Sequence, residues 1–292
     1  MAADDSTTRD RPMPTETADR DSRTALVTGA TSGIGRALTE RLAAAGLTVG
    51  LVGRDRQRAQ AARDEIAHAT GNDRVEFLVG DLADMSSVRE LARVAGQIYP
   101  TLDIIVNCAG VYTRSRTVTR DGFETMFATN VLGPFLLTDL LLPNLRAAGS
   151  ARILVVSAPS TTKLDFDDLQ SERRFRSLSA FGASKAADLL FTFELARRID
   201  GSGVTANAVH PGLVRTSLMR DAPAPLRWAI RPFTRPVDVA VKSIVPLVLD
   251  PEFVSDSGLF YHKGRAIDPP LYTRDPDTAG RLWDACAALT GV

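Results

Sequence analysis

The sequence predicts an α/β fold organised as a doubly wound parallel sheet, and three features predict it. Short apolar runs alternate with helical patterns along almost the whole chain; the first run ends in a glycine-rich turn that opens a helix; and residues suited to ligand contact recur where the runs end. With 292 residues, 44% of them apolar, the chain can bury one large core, and folds of this class and size are often single domains. The 35 basic and 35 acidic residues cancel, so no net field favours nucleic acid or an anionic membrane. No run approaches the ~18 apolar residues that a spanning helix needs. The first residues lack the apolar segment of a signal peptide, so a cytoplasmic protein is expected. Cys108 and Cys286 lie far apart and read as free thiols, and three scattered histidines without a spaced Cys/His cluster predict no metal site.

Residues 1–22 carry almost nothing apolar and are expected to be a disordered tail, because they cannot offset their ordering entropy. One domain is expected over 23–292. Its first strand is Thr24 to Thr28, followed by Gly29-Ala30-Thr31-Ser32-Gly33-Ile34-Gly35 and a helix with Ala37, Leu38, Leu42 and Leu47 at helical spacing. Strand, glycine turn, helix is the context in which Gly29, Thr31, Ser32, Gly33, Ile34 and Gly35 read as a cradle for a pyrophosphate. The glycines allow close approach, and the helix N-terminus favours negative charge. The second strand, Leu47 to Val52, ends Gly53-Arg54-Asp55. A carboxylate at that strand end accepts from both ribose hydroxyls, whereas a guanidinium pairs with a 2′-phosphate. Gly53 vacates the acidic position and Arg54 follows it, so NADP(H) is expected; Asp55 argues the other way.

A third strand, Val75 to Gly80, closes at Asp81-Leu82, and Asp84 is better placed than Asp81 to cap the helix from Met85 to Tyr99. The fourth strand, Leu102 to Val106, ends Asn107-Cys108-Ala109-Gly110, small residues over which a cofactor can lie. Val111-Tyr112 then begins the loop facing the substrate side. A long helical pattern over 121–148 contains Asn130, costly there unless its amide is satisfied. Pro134 suggests a kink, with Asn130 where the ladder opens.

The fifth strand, Arg152 to Ser157, continues Ala158-Pro159-Ser160, and Phe181-Gly182-Ala183-Ser184-Lys185 opens a helix to about Ile199. Strand Val204 to Val209 leads into His210-Pro211-Gly212-Leu213-Val214-Arg215-Thr216. The run 217–236 holds four prolines from 223 to 236 together with Trp228 and Phe233; it reads as a lid over an apolar substrate. A helix from Val237 to Leu249, a strand near Gly258 to Tyr261 and a helix from Asp277 to Leu289 complete the chain. The helix after Phe181 is apolar on several faces (Ala186, Leu189, Leu190, Phe191, Phe193), which suggests self-association, unless its own lid covers it.

From about residue 23 to 292 the chain resembles the short-chain dehydrogenases/reductases. Within them it looks most like the retinol-dehydrogenase-like branch, on Asp165-Phe166-Asp167-Asp168-Leu169-Gln170, Phe191-Thr192-Phe193-Glu194-Leu195-Ala196-Arg197-Arg198 and Arg281-Leu282-Trp283. The resemblance implies a Rossmann fold with a seven-stranded sheet and helices on both faces, hydride transfer between a nicotinamide and a carbonyl or alcohol, and a homodimer or homotetramer. It implies that Asp81 and Leu82 meet the adenine, and that Asn107, Ala109, Gly110, Pro211, Gly212, Val214 and Thr216 line the cofactor, with Tyr112, Ser160 and Trp228 on the substrate side. It places the family's lysine at Lys185 and its supporting asparagine at Asn130. The proton-donating tyrosine falls at Phe181 and the oxygen-steadying serine at Ala158, so both hydroxyls are missing. Alternation along the strand turns Ser157 away from the face of Ala158. Ser160 has the right parity but follows Pro159, and Thr161, Tyr112, Tyr261 and His262 are the other candidates. Three readings stay open: an oxidoreductase with another proton source, a non-redox enzyme such as a cyclase, dehydratase or isomerase, and a silent NADP(H)-binding protein.

Overall fold

The computed structural model describes residues 23–215, 218, 232 and 234–292. The tail 1–22, Thr216, Trp228, Phe233 and most of the expected lid lie outside the described residues. The elements alternate as expected: β1 (Thr24–Thr28), α1 (Gly33–Ala44), β2 (Thr48–Gly53), α2 (Arg56–Thr70), β3 (Val75–Val79), α3 (Met85–Ile98), β4 (Ile104–Asn107) and α4 (Thr125–Ala147). There follow β5 (Ala151–Val156), α5 (Ser177–Arg198), β6 (Val204–His210), α6 (Val237–Leu249), β7 (Phe260–His262), β8 (Arg265–Ile267) and α7 (Pro276–Thr290). The strand order is β3-β2-β1-β4-β5-β6-β7-β8. Seven strands run parallel; β8 pairs antiparallel with β7, an edge strand absent from the sequence-based expectation. All three β8 residues are exposed, so no apolar pattern announces it.

Central strands of such a sheet are buried on both faces, which is why they read as unbroken apolar runs. Val27, Leu51 and Ile104 face α1, α2 and α6, while Leu26, Ile105 and Val155 face α3, α4, α5 and α7. Helix α4 corrects the sequence-based statement about spanning length. Thr125–Ala147 is long and apolar enough to cross a membrane, but of its 18-residue apolar stretch with mean hydropathy 1.4, 83% is buried within the fold. It is a core helix. Its ladder opens into a π turn over Ala128–Leu132, centred on Asn130, just before Gly133 and Pro134.

Helix α5 starts at Ser177, one turn earlier than expected, so Phe181 stands in its second turn. Apolar residues on several of its faces are covered by other described elements of the chain. Leu189 meets Ala208 and Phe260 of the sheet, and Phe191 stacks on Trp283 of α7 with ring centroids 6.0 Å apart. The observation that suggested self-association is thereby accounted for.

The three stretches that carried the branch resemblance meet in space. Arg281 lies over the Phe166 ring at 4.2 Å, Arg198 over Trp283 at 4.5 Å, and Trp283 packs edge-on against Phe135 at 4.9 Å. Within the first stretch Gln170 accepts from Glu124 N, and Asp168 accepts from Glu172 N and Arg173 N. These residues lock α7 and a loop onto α4 and α5. Trp283→Ala is therefore expected to cost about 3 kcal/mol, at the low end for an aromatic truncation because the ring is half-buried. Urea unfolding measures it, and a loss under ~1 kcal/mol would mean that α7 is not a structural clamp.

Candidate active site

The glycine turn fits a pyrophosphate by its lack of side chains. A Cβ on Gly29 would sit 2.8 Å from Ala109 Cα, and one on Gly35 would sit 2.5 Å from Gly29 O, so neither space admits a side chain. Ser32, the N-cap of α1, makes no side-chain cap bond, leaving the first N–H groups of the helix open to an anion. Thr28 Oγ1 accepts from both Cys108 N (3.0 Å) and Ala109 N (3.1 Å), tying this turn to the end of β4. At the end of β2, a Cβ on Gly53 would lie 2.4 Å from Thr31 Cγ2. Arg54 is exposed, and Asp55 caps α2 by accepting from Arg58 N at 2.9 Å. The carboxylate that argued against a 2′-phosphate is thus committed to the helix.

The Asp84 cap of α3 is present (2.9 Å from Ser87 N), and Asp81 accepts from Ala83 N at 3.0 Å in the turn before it. Leu82 is buried. Asn107 is 3% exposed and donates to Thr138 Oγ1 of α4 at 2.9 Å, so its side chain points into the core. Its Nδ2 ties β4 to α4, while its Oδ1 is buried without a hydrogen-bond partner among the described residues.

Asn130 is fully used. Its Oδ1 accepts from Val111 N (2.8 Å), and its Nδ2 donates to Val111 O (3.1 Å) and Ser184 Oγ (3.0 Å). Ser184 in turn donates to the Phe181 carbonyl at 2.8 Å. A methyl group on Gly110 would lie 3.6 Å from Asn130 Oδ1, 3.9 Å from Lys185 Nζ and 4.0 Å from Leu218. The end of β4, the π turn and α5 therefore converge beside one described residue of the expected lid.

Lys185 Nζ lies 2.8 Å from Asp188 Oδ2, 3.4 Å from Val156 O and 5.8 Å from the Phe181 ring centroid. Burial pushes the Asp188 carboxyl up to about 6, with the Lys185 charge pulling it back. Burial pushes the Cys108 thiol up to about 12 despite Lys185. Asp188 was missed in the sequence, although an acid three places after the lysine inside Ala186-Ala187-Asp188-Leu189-Leu190 was a visible signal.

The hydroxyl candidates separate. Ser157 faces α5 as the alternation requires, and its hydroxyl donates to the Lys185 carbonyl at 3.0 Å and also lies against the Asp188 carboxyl. Ser160 accepts from Thr162 N and stands 3.3 Å from where a Cβ on Gly182 would be, against the turn that carries Phe181. Tyr112 packs edge-on to Phe181 at 5.8 Å, but its hydroxyl donates to Ser177 Oγ at 2.9 Å. Tyr261 donates to Asp256. His262 stacks on His210 with centroids 4.8 Å apart, its Nδ1 3.0 Å from His210 O. Pro211 and Gly212 follow β6, and Val214 bridges to Arg235 through Arg215 N→Arg235 O (3.0 Å) and Arg235 N→Leu213 O (2.7 Å). The two ends of the expected lid are pinned together.

A family model of the short chain dehydrogenase type matches residues 23–226. The chain belongs to this short-chain dehydrogenase family. It is 37% identical over 291 residues to retinol dehydrogenase 14 of Mus musculus, covering 92% of this chain and 86% of that protein. It is 36% identical to polyprenol dehydrogenase of Homo sapiens, covering 94% and 86%. Among solved structures, an uncharacterized protein from Mycobacterium paratuberculosis superposes with TM-score 0.75 at 31% identity, covering 92% of this chain and 94% of that one. A Burkholderia cenocepacia short chain dehydrogenase in complex with NADP gives 0.63 at 28%, covering 82% and 94%. In a sheet of this topology a ligand is expected at the carboxyl ends of the strands. A cavity of about 320 Å³ opens instead on the far side of α5, between Lys163, Arg174 and Ala183, and none of the sequence-predicted site residues lines it.

Because the Asp188 carboxyl is raised from 3.8 to about 6 in the fold, its contribution to stability is full below its unfolded value and is lost as pH rises to about 6. The stability difference between the natural chain and Asp188→Asn should therefore shift against the natural chain between pH ~4 and ~6. Thermal unfolding across that window measures it, and a flat difference would show that Asp188 ionises as in the unfolded chain.

Proposed function

We propose that this chain is an NADP(H)-binding oxidoreductase of atypical chemistry acting on an apolar small molecule. In it, Phe181 and Ala158 stand where the retinol-dehydrogenase-like pattern carries its tyrosine and serine. One observation carries the reading: Gly110, Asn130 and Lys185 converge at the sheet edge, and the group beside the lysine is a phenyl ring. The preference for NADP(H) is supported by exposed Arg54 after β2, by the absence of a carboxylate at Gly53, and by the use of Asp55 as a cap. Gly29, Thr31, Ser32, Gly33, Ile34 and Gly35 would hold the pyrophosphate. Asp81 and Leu82 would face the adenine, and Ala109, Gly110, Lys185, Pro211, Gly212, Val214 and Thr216 the nicotinamide half. When bound, the nicotinamide supplies a hydride donor or acceptor.

The protein's own part is orientation and exclusion of water. Asn130 holds the Val111 loop against α5, and Phe181 with Tyr112 forms an apolar wall. Ser160, against the turn that carries Phe181, and Tyr112 would line the substrate side, and 217–236, with Trp228, would close over the substrate. A positioned acid supplies ~10²–10⁴ in rate and an oxyanion donor ~10²–10³. Without either, carbonyl reduction forfeits on the order of 6 kcal/mol of transition-state stabilisation. A conjugated C=C acceptor, whose proton arrives at carbon from elsewhere, is the better substrate class.

Fluorescence titration with NADPH tests the cofactor, and NADPH absorbance with candidate substrates tests the chemistry. Turnover of NADPH supports the proposal; product formed with no NADPH consumed would replace it with a non-redox enzyme. Arg54→Glu is expected to weaken NADPH binding about tenfold or more, of the order set by one charge-assisted phosphate contact, and to leave NADH binding little changed. Phe181→Tyr with Ala158→Ser is expected to create measurable carbonyl reduction. An inert but NADPH-binding double variant would refute the assignment of these two positions.

A further inference from the structure

The two charged side chains sealed beside Phe181 are used on each other. Lys185 and Asp188 are three residues apart, so α5 carries them on one face. Their side chains are 9% and 5% exposed, with Nζ 2.8 Å from Oδ2. The second oxygen near Nζ, Val156 O at 3.4 Å, belongs to β5, so both oxygens draw the ammonium away from position 181 and toward the helix and sheet. The Ser157 hydroxyl fastens this turn of α5 from below through the Lys185 carbonyl. The Phe181 ring, 5.8 Å from Nζ, offers the charge only a distant aromatic face.

We propose that Asp188 is a positioning residue that holds Lys185 in a closed ion pair, cancelling the charge the lysine would present to a hydroxyl at position 181. The inference rests on the reading of Lys185 as the site lysine and deepens it. A lone cation about 6 Å from a phenol lowers its pKa, by ~1–3 units for close pairs; a cation whose counter-ion lies 2.8 Å away leaves only a dipole, whose field falls off faster. The other groups around the pair do not replace the cation. Cys108, at the end of β4, keeps its thiol proton because burial raises it to about 12. Tyr112 directs its hydroxyl to Ser177. His210, at the end of β6, is held below its ordinary value by burial and by the neighbouring His262. Phe181 and Asp188 thus belong together. One removes the phenol and the other neutralises the ammonium, which would otherwise be buried without a counter-ion.

Ultraviolet difference titration of the full chain against its Phe181 parent isolates the new phenol in Phe181→Tyr. With Asp188 in place this phenol is expected to titrate near or above its ordinary value of ~10. In Phe181→Tyr/Asp188→Asn it should titrate lower by about one unit or more, and adding Lys185→Met should return it. A phenol already well below ~10 with Asp188 present, or one that Asp188→Asn does not move, overturns the proposal. If the Asn variant does not fold, Phe181→Tyr alone decides on the first criterion. NADPH titration of the same proteins keeps the two ideas apart. A chain that binds no NADPH defeats the proposed oxidoreductase, and the phenol titration still reports on the ion pair.

Discussion

A side-chain amide inside an apolar helix is tolerated only when its polar atoms have partners, and at Asn130 that constraint organises everything around it. The helical ladder opens into a π turn at this residue. Its amide spans from the loop after β4 to Ser184 of α5, and Ser184 passes the connection to the Phe181 carbonyl. The loop bearing Tyr112, the core helix and the lysine-bearing helix are therefore held as one unit. Shifting any of them would strand buried donors and acceptors, a cost of ~1–3 kcal/mol for each group.

Other polar residues of the interior also tie elements together. Asn107 ties β4 to α4 through Thr138, Thr28 carries the first two N–H groups after β4, and buried Glu124 caps the start of α4 with both oxygens. The edge of the sheet is thus braced without any contribution from the side chains of Ala158 and Phe181. A framework of this kind can seat a dinucleotide and orient a ligand while the chemistry beside it changes.

Some of this was legible from residue order and some was not. The glycine turn could be read because strand, turn and helix are local. The expected opening of the ladder at Asn130 is present as a π turn, four residues before Pro134, which has no N–H to donate to the Asn130 carbonyl. Asp165 to Gln170 and Arg281 to Trp283 stood out as a resemblance, but nothing local shows that they clasp each other over α5. Tyr112 looked free to serve as an acid until Ser177 was found within 2.9 Å of its hydroxyl. That contact joins residues 65 apart in the chain. Asp188 went unnoticed because an acid three residues from a lysine is usually a surface pair, and burial is a property of the assembled fold.

The order of residues alone settled the alternation of strands and helices, and it suggested a phosphate cradle and the resemblance that sets Phe181 and Ala158 at the site, since these depend on spacing and side-chain type. The tertiary structure decided which groups face one another. It turned Asn107 into the core, covered the apolar faces of α5 with the sheet and α7, and buried Lys185 against Asp188. Those outcomes depend on distances between elements far apart along the chain, and such distances exist only once the layers have packed.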